Sequence, residues 1–139
     1  MDTAERAPAI SLHQPPVAYP DLPPVGGRVG PEPEDFLVDE VPAYSASGKG
    51  EHQYVHVKKR LLTTPELVRR LAKACGVNER DIGYAGMKDK HAVTTQWLSV
   101  STKMAISPEL ELGPGVEILE VTRHDNKLQI GRASCRERV

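Results

Sequence analysis

Gly83-Tyr84-Ala85-Gly86-Met87-Lys88-Asp89-Lys90-His91-Ala92-Val93-Thr94-Thr95-Gln96-Trp97 joins two apolar stretches through a glycine turn and a run of charge. Ile82 to Ala85 reads as a short buried strand. Ala92 to Val100, carrying Val93, Trp97, Leu98 and Val100, reads as a longer one. Lys88, Asp89 and Lys90 fall between them, and loops held by flanking strands are where reactive groups usually sit. Asp89 lies between two cations, a setting that suits a carboxylate anion. Such an anion serves as a nucleophile or a base; a plain turn aspartate fits the same residues. A phosphate-cradling loop does not fit, because Gly86-Met87-Lys88 leads to Asp89 where that motif needs Ser or Thr.

Outward from this stretch, the clearest element is a helix. Thr64-Pro65-Glu66 supplies an N-cap, a first-turn proline and an early carboxylate; Leu67, Val68, Leu71, Ala74 and Cys75 follow at helical spacing, and Gly76 closes it. Arg69, Arg70 and Lys73 take the opposite side. Further upstream, Phe36, Val38 and Val41 sit among Leu37, Asp39 and Glu40, which suits a strand ending at Pro42. Ser45 to Gly50 reads as a turn, and Tyr54, His56 and Lys58 alternating with Val55 and Val57 as a second strand, the expected hairpin partner of the first. Val116 to Arg123 alternates as a last strand. Strands outnumber helices, so the expected class is α+β: a mixed, mainly antiparallel sheet with a flanking helix. Eight of the 12 prolines lie between Pro8 and Pro33, so residues 1–30 are expected to run as an extended arm.

The 139 residues suffice for one compact domain, and the 27% of charged side chains suit a soluble chain. No apolar run approaches the length of a membrane span, and Met1 to Arg6 lacks a secretory start. A cytoplasmic monomer is the expectation. Two cysteines, Cys75 and Cys135, are too few for a disulfide framework or a cysteine zinc site. His52 and His56 lie about 13 Å apart along an extended strand, so no metal site is expected. Residues 1–50 carry 3 basic and 8 acidic side chains, whereas residues 51–103 carry 10 basic and 5 acidic. A basic centre in a near-neutral chain suits a polyanion. Lys58, Lys59 and Arg60 are its candidate contacts to an RNA backbone, with a solvated strand end as the plain reading. Aromatic residues are 4% of the chain, which argues against a surface that works mainly by stacking bases.

The loop from Gly83 to Gln96 resembles the signature of the TruD family of tRNA pseudouridine synthases. Pro33-Glu34-Asp35-Phe36-Leu37-Val38-Asp39-Glu40 resembles the family's first motif, Gly50-Glu51-His52 follows in the expected order, and Arg123-His124-Asp125-Asn126-Lys127-Leu128 resembles the approach to its next one. The resemblance covers about residues 26–131. It implies a pseudouridine-synthase catalytic domain, present in part over residues 31–131, that isomerises uridine in tRNA, at position 13 in the best-known members. Asp89 matches the catalytic aspartate, whose carboxylate acts as nucleophile while the glycosidic bond breaks and the retained uracil rejoins through carbon. Phe36 matches the phenylalanine set against the target base, and Lys88 and Lys90 are candidates to steady that carboxylate or touch phosphate. No cofactor and no metal are implied; the partner is tRNA. Thr94 and Gln96 share a strand face and are candidates to orient the loop by hydrogen bonds, while Trp97 and Cys75 read as core. The competing reading is a non-catalytic RNA-binding module that uses the basic centre alone.

Two departures accompany the resemblance. Gly30 stands near the place where the family often carries a lysine, with Arg28 the nearest base. The family's next motif, an Asn and a Phe lining the active site, is absent after Gly131. Ile130 to Val139 matches, in one frame, the translation of a common sequencing adapter, so residues 132–139 are expected to be an artefactual tail on a truncated and inactive fragment.

Overall fold

The computed structural model describes residues 18–23, 25–28 and 30–138. The arm expected over residues 1–30 lies largely outside them; the described part of it, from Ala18 to Arg28, is exposed. Six strands form one sheet: β1 (Leu37–Pro42), β2 (His52–Arg60), β3 (Ile82–Tyr84), β4 (Val93–Ser101), β5 (Val116–His124) and β6 (Ala133–Arg138). Among the described residues there is one α-helix, α1 (Thr64–Cys75), between β2 and β3. The α+β class and the mainly antiparallel sheet follow the sequence reading, since β1–β4 is the one parallel pair among those strands.

The strand order is β5-β2-β4-β1-β6, with β3 also paired to β4. This corrects the expected β1–β2 hairpin. β4 separates the two, running antiparallel to β2 over nine register positions and parallel to β1 over Leu37–Asp39. Beyond Asp39 that ladder opens, and the Glu40 carboxylate takes the Trp97 amide instead at 2.9 Å. Further along the same edge β4 pairs with β3, from Leu98 to Val100. Two short strands thus share one side of β4, and the charged loop from Ala85 to Ala92 leads from the end of β3 to the start of β4.

α1 covers one face of the sheet. Leu67, Val68, Leu71 and Cys75 pack with Val55 and Val57 of β2, Leu98 and Val100 of β4, and Ile118 of β5. Leu67 and Leu71 are fully buried, each contributing about 1.5–3 kcal/mol on removal from water. The helix is capped one residue earlier than the sequence reading places it: Thr63 Oγ1 accepts from the Glu66 amide at 3.3 Å, and Gly76 ends it with φ 66°. Thr64 is therefore inside the helix, which frees its hydroxyl for other work.

β6 is formed by residues read from the sequence as a foreign tail. Its pairing with β1 from Leu37 to Pro42 draws on main-chain groups, which any extended segment supplies, and Ser134, Cys135 and Arg136 are exposed. No helix among the described residues is long and apolar enough to cross a membrane.

Candidate active site

The loop from Ala85 to Ala92 follows directly from the two partners of β4. β3 ends at Tyr84 opposite Leu98, whereas β4 begins at Val93, so the chain must run back alongside β4 to enter it. Gly83 makes the start possible, because a side chain there would collide with the Leu128 carbonyl and Ser99 Oγ.

Buried polar groups fasten this loop almost residue by residue. The Gly131 amide donates to the Ala85 carbonyl at 2.8 Å. Gln96 Nε2 donates to the Gly86 carbonyl at 3.4 Å, while its Oε1 accepts from Thr64 Oγ1 at 3.0 Å. The same Thr64 oxygen accepts from the Lys88 amide at 3.0 Å. Lys88 Nζ pairs with Glu40 Oε2 at 2.7 Å, with side chains 5% and 0% exposed. Lys59 Nζ donates to the carbonyls of Leu62 at 2.6 Å, Asp89 at 2.9 Å and Lys88 at 3.5 Å. The main chain before and at the tip is held by these bonds, while Met87, Asp89, Lys90 and His91 are left exposed. A fixed backbone that presents a free carboxylate is the preorganisation that a nucleophile needs.

Electrostatics differ sharply among the lysines. Burial, and after it repulsion from Lys88, pull the Lys59 ammonium down to about 8, against the opposing attraction of Asp89. Lys88 has its counter-ion in Glu40, whose other oxygen is taken by the Trp97 amide.

Phe36 stands at the far end of the loop. It is half-buried, it precedes β1, and its carbonyl accepts from the Val93 amide at 3.1 Å. Phe36 is thereby tied to the residue at which the Asp89 loop enters β4. His91 reaches the same neighbourhood, its Nε2 lying 2.8 Å from the Pro31 carbonyl. At Gly30 the Asp35 carboxylate fills the space a side chain would need.

The basic trio divides. Lys58 and Arg60 are exposed, and Arg60 binds Glu34 through two nitrogens at 2.5 and 3.3 Å, which lowers the Glu34 carboxyl below its usual range. Lys59 corrects the expectation of an RNA contact. It is fully buried, because it lies in phase with Val55 and Val57, and its ammonium is spent on loop carbonyls. Lys88 likewise faces Glu40 rather than solvent. Lys90 is exposed at the tip. Gln96 fastens the loop, whereas Thr94 Oγ1 is buried without a hydrogen-bond partner. Glu40 and Thr64 hold the loop as well, a role the sequence reading of a motif residue and a helix cap does not include. Glu40 had a signal, since it shares the strand phase of Phe36 and Val38. Trp97 is half-buried rather than core, and stacks on His56 with centroids 4.6 Å apart. Cys75 is core, and burial raises its thiol.

The arrangement has counterparts among known proteins. The family model of tRNA pseudouridine synthase D (TruD) matches residues 17–134. A tRNA pseudouridine synthase D of Anaeromyxobacter dehalogenans is 53% identical over 116 residues, 84% of this chain and 33% of that protein. One from Geotalea daltonii is 47% identical over 114 residues, 80% of this chain and 28% of that protein. A crystal structure of a Methanosarcina mazei protein named for tRNA pseudouridine synthase D superposes with a TM-score of 0.63 at 29% identity, over 81% of this chain and 26% of that one. The chain thus spans about a third of the length of the curated relatives it matches. With the motif-bearing loop, the strand that buries Glu40 and strands β1 to β5 all inside the matched span, the chain belongs to the tRNA pseudouridine synthase D (TruD) family.

Proposed function

We propose that this chain carries the nucleophile-bearing part of an enzyme that isomerises uridine to pseudouridine in tRNA, with Asp89 as the nucleophile. The observation that carries the reading is an exposed carboxylate on a loop whose main chain is fastened from beneath by Lys59, Thr64 and Gln96 and whose Lys88 side chain is held by Glu40. The isomerisation exchanges the bond from N1 to the sugar for one from C5; C5 gives up a proton and N1 gains one, so atoms and electrons balance without a co-reactant. A carboxylate suits the task because it can attack, hold the fragment and leave again. The target uridine must leave its stack to reach the loop. Phe36, tied to the Val93 end of that loop, is the side chain to receive its base. Lys90 and Lys58 are the exposed cations we assign to phosphate. Work on tRNA goes with a cytoplasmic setting.

The test grafts residues 31–131 in place of the matching segment of the Anaeromyxobacter relative and measures pseudouridine in tRNA. Asp89→Asn keeps size and removes the anion, so turnover should vanish while tRNA affinity stays within about tenfold. Turnover retained by Asp89→Asn would end the nucleophile assignment. A graft that binds tRNA and forms no pseudouridine would favour the RNA-binding module instead.

A further inference from the structure

An ammonium has three hydrogens to place, and Lys59 places them on three carbonyls, two of which belong to the loop tip, Lys88 and Asp89. A neutral donor would suffice to hold carbonyls, and burying a charge is far more costly than burying an amide. What the charge adds is attraction for the Asp89 carboxylate nearby. We propose that Lys59 is a positioning residue for Asp89, its buried ammonium fixing the loop tip and with it the place from which the carboxylate attacks. This rests on the reading of Asp89 as the nucleophile.

The surroundings give the proposal a pH signature. β4 and β5 set Thr94 and Val116 beside Lys59, and neither titrates. Lys58 and Arg60 of its own strand are exposed on the other side. The charged groups that act on it are Lys88 and Asp89. With its proton leaving near pH 8 rather than 10.5, Lys59 loses one of three donors and its charge while the unfolded chain still holds that proton. The folded state therefore gains stability relative to the unfolded as pH rises from about 8 toward 10, because the unfolded state binds more protons there. Positioning of Asp89 is lost over the same interval. Turnover and stability should move in opposite directions, which a merely structural lysine would not produce.

The experiment measures kcat, tRNA affinity and urea stability from pH 6.5 to 10 for the graft described above, with Lys59→Gln and Lys59→Met. Wild-type kcat should fall as pH passes about 8 while stability rises. Lys59→Gln, which keeps donors and drops the charge, should lower kcat at least about tenfold with tRNA affinity within about threefold, and its remaining rate should lack the fall near pH 8. Lys59→Met serves if the glutamine does not fold, and the wild-type profiles alone decide if neither does. A kcat within threefold of wild type in a folded variant, or wild-type rate and stability falling together above pH 8, overturns the inference. An inactive Asp89→Asn beside a fully active Lys59→Gln sinks this inference alone; an active Asp89→Asn sinks the functional reading beneath it.

Discussion

The buried face of β2 holds a loop at each end, and the two are held by different chemistry. At one end Gln53 Nε2 donates to the carbonyls of Thr102 and Met104 at 3.3 and 2.5 Å, and its Oε1 accepts from the Ile106 amide at 2.8 Å. At the other end Lys59 holds Leu62, Lys88 and Asp89. The first loop merely connects β4 to β5, and Ile106 and Leu112 bury themselves in the main core to assist it. The second carries Asp89, and its side chains at the tip face solvent. Where only the path of the chain matters, a neutral amide and two apolar anchors are enough. Where the tip side chains face solvent, the anchors cannot come from them, so the loop is held from below, by the charged Lys59 and Glu40–Lys88 pair together with Thr64 and Gln96.

Removing an anchor should separate the two cases, and the largest effect is expected at Glu40. Glu40→Ala leaves the Lys88 ammonium buried without its counter-ion, which should destabilise the chain by about 3–5 kcal/mol in urea unfolding. A loss below about 1 kcal/mol would show that Lys88 swings out to water and that the pair is not an anchor.

Gln53→Ala tests the neutral end. It strands the Ile106 amide and two carbonyls, at about 1–3 kcal/mol. That loss should be the same at pH 7 and pH 9.5, in contrast with variants at Lys59, and turnover of the graft should fall no more than its folded fraction does. A pH-dependent loss would mean that the two ends are not chemically distinct.

Much of this pattern can be read from the sequence, though the local reading of Lys58-Lys59-Arg60 hides part of it. Alternation puts Lys59 in register with Val55 and Val57, and hence inside, but three adjacent cations invite the reading of a patch. The helix, its Gly76 terminus and most strand positions follow from spacing and capping, because those signals are local. Proximity in sequence favours a β1–β2 hairpin, while the actual neighbour of both is β4, a pairing set by contacts distant in the chain. Asp89 and Phe36 come from motif resemblance. The hold of Glu40 and Thr64 on Lys88, next to Asp89, acts across 24 residues or more, so strand phase shows that Glu40 points inward but not what it meets there.

The smallest expected effect separates two adjacent lysines of equal charge. Lys58 is exposed, whereas Lys59 is fully buried. A phosphate contact releases counter-ions, so losing one lowers the slope of log affinity against log salt by slightly under one. Lys58→Gln should therefore weaken tRNA binding by the graft at low salt and flatten that slope by about 0.7–0.9. Lys59→Gln should leave the slope as it is, because an ammonium committed to loop carbonyls has no counter-ions to release. If both substitutions flatten the slope equally, Lys59 reaches solvent in the complex, and the contrast between the two ends of β2 collapses. If neither does, the tRNA backbone passes elsewhere, and exposed Lys90 at the loop tip becomes the next residue to replace.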